Sequence, residues 1–187
     1  MFFNLMKKQL LINTLIAMGS VVFSQDLQSL VNKANNKIIS SELESAETLL
    51  QDVLDVDPSF APARVALSKI WLRKGDLSKA NEYANLAVRI DEDFRPWWEK
   101  LNGIRAGIQN GQKYVHQSDF DKAFDEYEAI SEKFPYYSQA HYYMGIAKYK
   151  QKDFDQAALS FENALKIYPD YERAIKALKN VKKRLSK

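Results

Sequence analysis

The spacing of four alanines constrains this chain more than any other feature of its sequence. Ala46, Ala80, Ala123 and Ala157 are separated by 34, 43 and 34 residues, so the middle interval exceeds the others by nine. A recurrence of this length is typical of stacked helical repeats, in which each unit buries its apolar face only against its neighbours. The sequence therefore predicts a repeat protein that acts by presenting a surface.

The first 24 residues are predicted to lie outside the folded body. Lys7 and Lys8 precede a mainly apolar run over residues 10–23, which ends at Ser24. This order is typical of a secretory signal, and the run is shorter than the roughly 20 apolar residues of a membrane span. We expect a cleaved signal, a mature chain from Gln25 and a periplasmic or extracellular location. Retention of the segment as a membrane anchor is the alternative.

Cysteine content and charge narrow the classes of function. The chain has no cysteine, which excludes disulfides, thiol catalysis and cysteine metal sites. The net charge of +3 is unevenly distributed, because residues 172–187 carry +6 and residues 25–171 carry −5. Such asymmetry can mark a nucleic-acid or membrane contact. Export argues against nucleic acid.

The residues around the four alanines recur at equivalent offsets. The last unit shows the pattern most fully, with His141, Met144, Gly145, Ala157, Phe161, Ala164 and Pro169. This pattern resembles the tetratricopeptide repeat, whose signature is an aromatic residue, Leu-Gly and Tyr, followed by Ala, an aromatic residue, Ala and Pro. On this resemblance the repeats are residues 27–60, 61–94, 104–137 and 138–171.

Each unit has two apolar-periodic stretches of about 14 residues joined by a polar turn, which predicts an antiparallel helix pair. The resemblance implies an all-α, right-handed superhelical solenoid of four pairs within a single domain over residues 25–187. An amphipathic helix over residues 172–186 is predicted to cap the array, with its charged face in solvent. The alternative for that face is a basic patch for anionic lipid or an acidic partner.

Nine residues, 95–103, are additional to a strict array and account for the long interval. An apolar stripe with alternating spacings of four and three runs from Trp97 to Val115, which predicts one continuous helix over about 96–117. Pro96 fits the first turn of such a helix. Trp97, Trp98 and Leu101 then either pack on the preceding pair or form an exposed second interface.

The resemblance also implies a concave channel lined by the first helix of each pair. Matching positions make the candidate channel residues Asn35, Lys69, Arg73, Ile108, Gln112, Gln139, Tyr142, Ile146 and Tyr149. Such a mixed, partly aromatic groove suits an extended peptide or an amphipathic helix. Packing between repeats is the alternative role for Tyr142 and Tyr149.

We find no sequence support for catalysis, and we expect no cofactor or metal. His116 and His141 are the only histidines and fall in different units, and His141 is expected to be structural. No phosphate loop, paired-histidine motif or serine elbow is present.

The sequence therefore predicts a non-enzymatic scaffold that binds a peptide segment or helix of a cell-envelope protein. It predicts neither nucleic-acid binding nor a membrane span after signal cleavage. A second hypothesis is a structural, self-associating subunit that uses the extended helix 96–117.

Overall fold

The computed structural model describes residues 24–186, and within them the regular structure is entirely helical. None of the helices in this range is both long and apolar enough to cross a membrane. The bounds are residues 24–39 for α1, Leu43–Val56 for α2, Ala61–Arg73 for α3, Leu77–Ile90 for α4, Arg95–His116 for α5, Phe120–Lys133 for α6, Ser138–Lys150 for α7, Phe154–Ile167 for α8 and Glu172–Leu185 for α9. Residues 1–23 of the predicted signal segment lie outside the residues that the structure describes.

The turns inside the helix pairs share one backbone geometry. Each contains a residue with positive φ, namely Ser41 (64°), Gly75 (82°), Ser118 (58°) and Lys152 (65°). These residues are separated by the same 34, 43 and 34 positions as the alanines. The period of the sequence is therefore also a period of backbone conformation.

Three of these turns end in an aspartate that caps the next helix. Asp76, Asp119 and Asp153 each accept a hydrogen bond from the backbone N–H three residues later, at 2.9, 3.4 and 3.1 Å respectively. Such caps satisfy a donor that has no partner within the helix. The side chain of Glu42, which precedes α2, makes no such bond.

The chain divides into two compact units, Met1–Ala63 and Arg64–Lys187. In the first unit, α1 and α2 bury small and aliphatic side chains at helical spacing. The buried residues of these two helices are Leu27, Val31, Ala34, Ile38, Leu43, Ala46, Leu50, Val53 and Leu54.

In the second unit each helix from α4 to α9 packs against the next one along the chain. Two helix pairs use the same close contact between a glycine and an aromatic ring. A Cβ at Gly111 would lie 2.3 Å from the Tyr127 ring, and a Cβ at Gly145 would lie 2.5 Å from the Phe161 ring. Only a residue without a side chain admits these rings, which lie 1% exposed in the core.

The nine additional residues form the beginning of α5, which is a single helix of 22 residues. The prediction of one continuous helix is therefore confirmed, with Pro96 in its first turn. Leu101 and Ile104 on its apolar stripe are buried, at 0% and 1% exposure, and join the core of the second unit.

The turn between α3 and α4 lies against the start of α7. A Cβ at Gly75 would lie 3.0 Å from Ser138 Oγ and 3.4 Å from the Tyr171 ring. Glycine is favoured here twice, by the positive φ and by this close approach.

Candidate functional site

The strongest candidate site is a cleft between α7 and α9. It has a volume of about 350 Å³ and is open along one side. Its walls are Tyr142, Ile146 and Tyr149 of α7, Phe161 of α8, and Arg173, Lys176, Ala177 and Asn180 of α9. Three of the predicted channel residues therefore meet in one concavity.

Tyr142 both lines this cleft and packs in the core. Its ring centroid lies 5.7 Å from that of Phe161 and 5.6 Å from that of Tyr171, both in tilted arrangements. The guanidinium of Arg173 lies 5.0 Å from the Tyr142 centroid, within the range of a cation–π contact. Tyr142 therefore packs against buried rings and also lines the cleft, and its role in peptide binding stays a prediction.

Tyr149 lines the cleft near the C-terminus of α7. Its ring lies 5.5 Å from the Phe154 ring, and it packs with Ile146 against the cluster that contains Phe161. The side chains of Ile146 and Tyr149 are half-buried, so they present apolar surface to the cleft and are only partly exposed to solvent.

The charged wall of the cleft belongs to α9. Burial lowers the pKa of Arg173, but interaction with Tyr142, Tyr171 and Tyr143 outweighs this, so the net pKa lies above its usual value. Lys176 forms an exposed ion pair with Glu172, at 3.0 Å from Nζ to Oε2. The cleft therefore combines an apolar, aromatic wall with two cations.

The hydroxyls of two buried tyrosines in the second unit, Tyr171 and Tyr127, remain protonated at neutral pH. Burial raises the pKa of Tyr171 strongly, and it raises the pKa of Tyr127 to about 12. These hydroxyls are therefore neutral packing groups rather than candidate acids or bases.

The other channel candidates of the second unit do not join this cleft. Arg73 is only 7% exposed, with its guanidinium 4.8 Å from the Tyr136 ring, and burial lowers its pKa. The Arg73 side chain is therefore largely covered, and its role in a channel stays a prediction. Lys69 is exposed, and its ammonium lies 5.9 Å from the Trp97 ring.

The remaining candidates are scattered. Gln139 accepts a hydrogen bond from the Tyr137 hydroxyl and donates one of 3.1 Å to the Tyr143 hydroxyl, so it belongs to an internal network. Ile108 packs against the core of the second unit, and Gln112 is exposed. Asn35 lies half-buried on α1 in the first unit.

The predicted second interface is largely internal. Trp97 donates a hydrogen bond of 2.9 Å from its indole nitrogen to Ser68 Oγ, and Ser68 donates one of 2.7 Å to the Ala80 carbonyl. Trp97 and Trp98 pack against the core cluster that contains the fully buried Leu101. The packing alternative is therefore confirmed for Leu101, and this residue offers no surface to a partner.

The two histidines do not form a site. His141 is half-buried, and burial lowers its pKa, with a smaller opposing effect from its hydrogen bond to the Pro135 backbone. Within residues 24–186 no three histidine or carboxylate side chains cluster closely enough to hold a metal ion.

Sequence reasoning missed the whole α9 wall of the cleft. Arg173, Lys176, Ala177 and Asn180 follow the last repeat and were assigned to a cap. Their spacings of three, one and three place them on one helical face, which is a signal available in the sequence. A helix that caps the array takes the position that the first helix of a further pair would have. Its residues can therefore line a cleft, and the interpretation as a cap alone did not include this role.

Comparison with known sequences places most of these helices in one family. Two profiles, both described as tetratricopeptide repeat, match residues 33–93 and 138–171, which together are about half of the chain. The mouse protein named tetratricopeptide repeat protein 21A is 34% identical over 62 residues. That match covers 33% of this chain and 5% of the mouse protein.

Several solved structures are similar to this chain at low sequence identity and with TM-scores below 0.5. YrrB, described as a TPR protein with an unusual peptide-binding site, is 22% identical, with 80% of this chain and 90% of that chain covered and a TM-score of 0.40. The TPR2AB domain of yeast Sti1, described as a complex with pHSP90, is 16% identical, with coverages of 85% and 71% and a TM-score of 0.42. MamA from AMB-1 is 18% identical, with coverages of 86% and 82% and a TM-score of 0.41.

Proposed function

Because this chain is built of tetratricopeptide repeats, we propose that it is a protein–protein interaction scaffold whose α7–α9 cleft binds a segment of another protein. The observation that carries this proposal is the convergence of Tyr142, Ile146 and Tyr149 with the α9 residues around one cleft. Ligand clefts combine apolar walls with a few placed polar groups, as this one does. Helices α7, α8 and α9, which pack against one another within the second unit, support such a cleft.

The walls of the cleft indicate the chemistry of its ligand. Ile146 and the rings of Tyr142 and Tyr149 favour an aliphatic or aromatic side chain. Arg173 and Lys176 stand on the opposite wall and favour a carboxylate beside that side chain. A volume of about 350 Å³ accommodates one or two side chains rather than a long helix, so the ligand is a short peptide segment.

The N-terminal segment supports export, and we therefore propose that the partner is a cell-envelope protein. The lysine pair followed by an apolar run over residues 10–23 has the composition of a secretory signal. A location in the periplasm or outside the cell follows from cleavage after Ser24. Intact mass measurement of the exported protein tests this step, and retention of residues 1–24 contradicts it.

A non-enzymatic role fits the chemistry of the cleft. Its polar groups are two cations, the amide of Asn180 and the hydroxyls of Tyr142 and Tyr149, and its lining residues include neither a histidine nor a carboxylate to act as a general base. The cleft residues are thus suited to holding a ligand rather than transforming it.

Site-specific photocrosslinking in the full chain tests the proposal. A photoreactive residue in place of Asn180 places the probe on the wall of the cleft, and envelope extract supplies the partners. Crosslinks to a partner are expected, and Ala177→Leu, which fills the cleft with a larger side chain, should abolish them. Arg173→Glu combined with Lys176→Glu should weaken them.

Matched controls keep the test interpretable. Lys100→Glu changes an exposed charge on α5 and should leave the crosslinks unchanged. Tyr142→Ala is unsuitable because it removes contacts with Phe161 and Tyr171 and destabilises the unit itself. Crosslinks that persist at full intensity in Ala177→Leu, while its helicity is unchanged, rule out this cleft as the binding site.

A further inference from the structure

The described part of the chain has no net charge, but the acidic and basic residues are unevenly distributed along the sequence. The first described residues have a net negative charge and the last ones a net positive charge. Residues 24–60 contain seven acidic and two basic residues, a net charge of −5. Residues 172–186 contain one acidic and six basic residues, a net charge of +5. Residues 61–171 contain 16 of each sign. The acidic charge therefore resides on the α1–α2 segment and the basic charge on α9.

The basic end also carries an apolar groove that the α7–α9 cleft does not use. This groove has a volume of about 430 Å³ and is lined by Leu165, Ile175, Leu178, Lys179, Lys182, Lys183 and Ser186. Ile175 of α9 is 44% exposed. Leu159 of α8 and Leu185 of α9 are 47% and 46% exposed. The groove is therefore an apolar strip bordered by lysines.

The place of this groove in the array indicates what shape of partner it accepts. Helix α9 packs against α8 as α7 packs against α6, so it occupies the position of the first helix of a further pair. In a repeat array, the exposed face of the last helices is the face against which another helix pair would stack. The groove is accordingly suited to a helical partner with apolar residues and acidic flanks.

The α1–α2 segment has both of these properties. Asp52 and Asp55 are exposed on α2, and Val56, which lies on the same helical face, is 57% exposed beside them. We propose that the α8–α9 groove of one molecule docks the α1–α2 pair of a second copy of this chain, in a head-to-tail contact. The equal and opposite charges of the two segments steer and orient this contact.

A head-to-tail contact has a consequence for assembly. The two surfaces differ, so each molecule keeps one free surface of each kind after docking. Such heterologous contacts generate rings or open chains rather than closed two-fold dimers. The contact uses neither α5 nor the α7–α9 cleft, so it is independent of the proposed peptide-binding function.

Reciprocal charge reversal in the full chain tests the proposal. Lys179→Glu with Lys183→Glu reverses the groove border and leaves the Lys182–Glu162 ion pair of 3.1 Å in place. Asp52→Lys with Asp55→Lys reverses the other surface. We expect sedimentation velocity to show concentration-dependent association of the unaltered chain, and each variant alone to associate about tenfold more weakly or worse.

The decisive measurement mixes the two variants. The reversed groove of one variant then faces the reversed α2 of the other, so association is expected to return in the mixture. Lys100→Glu with Lys113→Glu is the matched control, because it makes the same charge change at exposed positions of α5 and should leave association unchanged. Higher salt should weaken association of the unaltered chain, because exposed charges are screened.

Three outcomes would overturn the proposal. One is an unaltered chain that remains monomeric at tens of micromolar. A second is a mixture that fails to associate although both variants retain full helicity by circular dichroism. A third is binding of the unaltered monomer to phosphatidylglycerol vesicles that is lost in the Lys179/Lys183 variant alone, which would assign the groove to an anionic membrane.

Discussion

Helices α5 and α7 are each the first helix of a pair, and each carries large aromatic side chains. These side chains contact different neighbours in the two helices. At the start of α5, Trp97 is held by its hydrogen bond to Ser68 and lies against a core that includes Leu101. On α7, Tyr142 and Tyr149 face α9 across an open cleft. An aromatic stripe is thus a core element or a binding wall according to what lies opposite it.

The residues opposite each stripe explain the difference. The α5 stripe is covered within the second unit by buried groups of α3 and α4, among them Leu72 and Ala84. The α7 stripe faces Ala177 and Asn180 on α9, whose small and polar side chains leave space between the helices. Availability for binding is therefore set by the covering helix, and the comparison can be tested on both sides.

The largest expected effect is on the buried side of the comparison. Leu101→Ala should lower the free energy of unfolding by about 2–5 kcal/mol, because it empties a fully buried site. Tyr149→Ala should lower it less, because that side chain is only half-buried. Urea unfolding followed by far-UV circular dichroism measures both. A larger loss for Tyr149→Ala would contradict the distinction between a sealed stripe and an open one.

A smaller change in the free energy of unfolding is expected at a feature that α5 and α7 share, the contact between a glycine and an aromatic ring of the next helix. Gly111→Ala and Gly145→Ala should each lower the free energy of unfolding by about 1–3 kcal/mol, because the added methyl group overlaps the Tyr127 or Phe161 ring. Helix propensity opposes this loss by roughly 1 kcal/mol.

Gly103→Ala supplies the control within the same long helix. Apart from its chain neighbours and the adjacent backbone of α5, nothing lies within 4 Å of a Cβ at Gly103, so this change should raise the free energy of unfolding by up to about 1 kcal/mol. Thermal unfolding of the three variants separates overlap from propensity. If all three alanines stabilise equally, the close packing of glycine against the rings is not a constraint.

The smallest expected effect concerns pH. Burial lowers the pKa of His141 in the folded state, so the unfolded chain binds its proton more readily. The free energy of unfolding should therefore decrease as pH falls below about 6.5, the usual histidine pKa, and continue to decrease until the folded-state pKa is reached. His141→Asn should remove this component.

Chemical denaturation at several pH values between 5 and 8 measures the His141 effect, since this range spans the ordinary pKa of histidine. The quantity to compare is the pH-dependent difference between the unaltered chain and the variant. A variant with an identical slope would show that His141 is equally easy to protonate in both states, and that its burial has no energetic consequence.

Much of the fold could be predicted because its determinants are local. The turns at Ser41, Gly75, Ser118 and Lys152 recur with the period of the alanines, and the stripe along α5 identifies one continuous helix. The candidate site was predicted only in part. Tyr142, Ile146 and Tyr149 were found through the family's channel positions, whereas the opposite wall was missed.

Arg73 shows why a channel position does not guarantee an open surface. Its place on α3 matches the family's channel, yet Tyr136 from the loop before α7 covers it. That contact joins residues 63 positions apart in the chain, and no local pattern encodes it. The same limit applies to α9, whose residues acquire a role only through the helix they face.

The sequence by itself determined the repeat period, the approximate bounds of α5 and α9 and the lengthening of α5, because turn chemistry and apolar periodicity act over a few residues. It also determined the segregation of charge between the first helices and the last. The tertiary structure alone decided which aromatic side chains are sealed and which border a cleft, since burial depends on neighbours that are distant in sequence. Packing of whole helices, rather than the character of any one residue, fixes where this protein presents its surface.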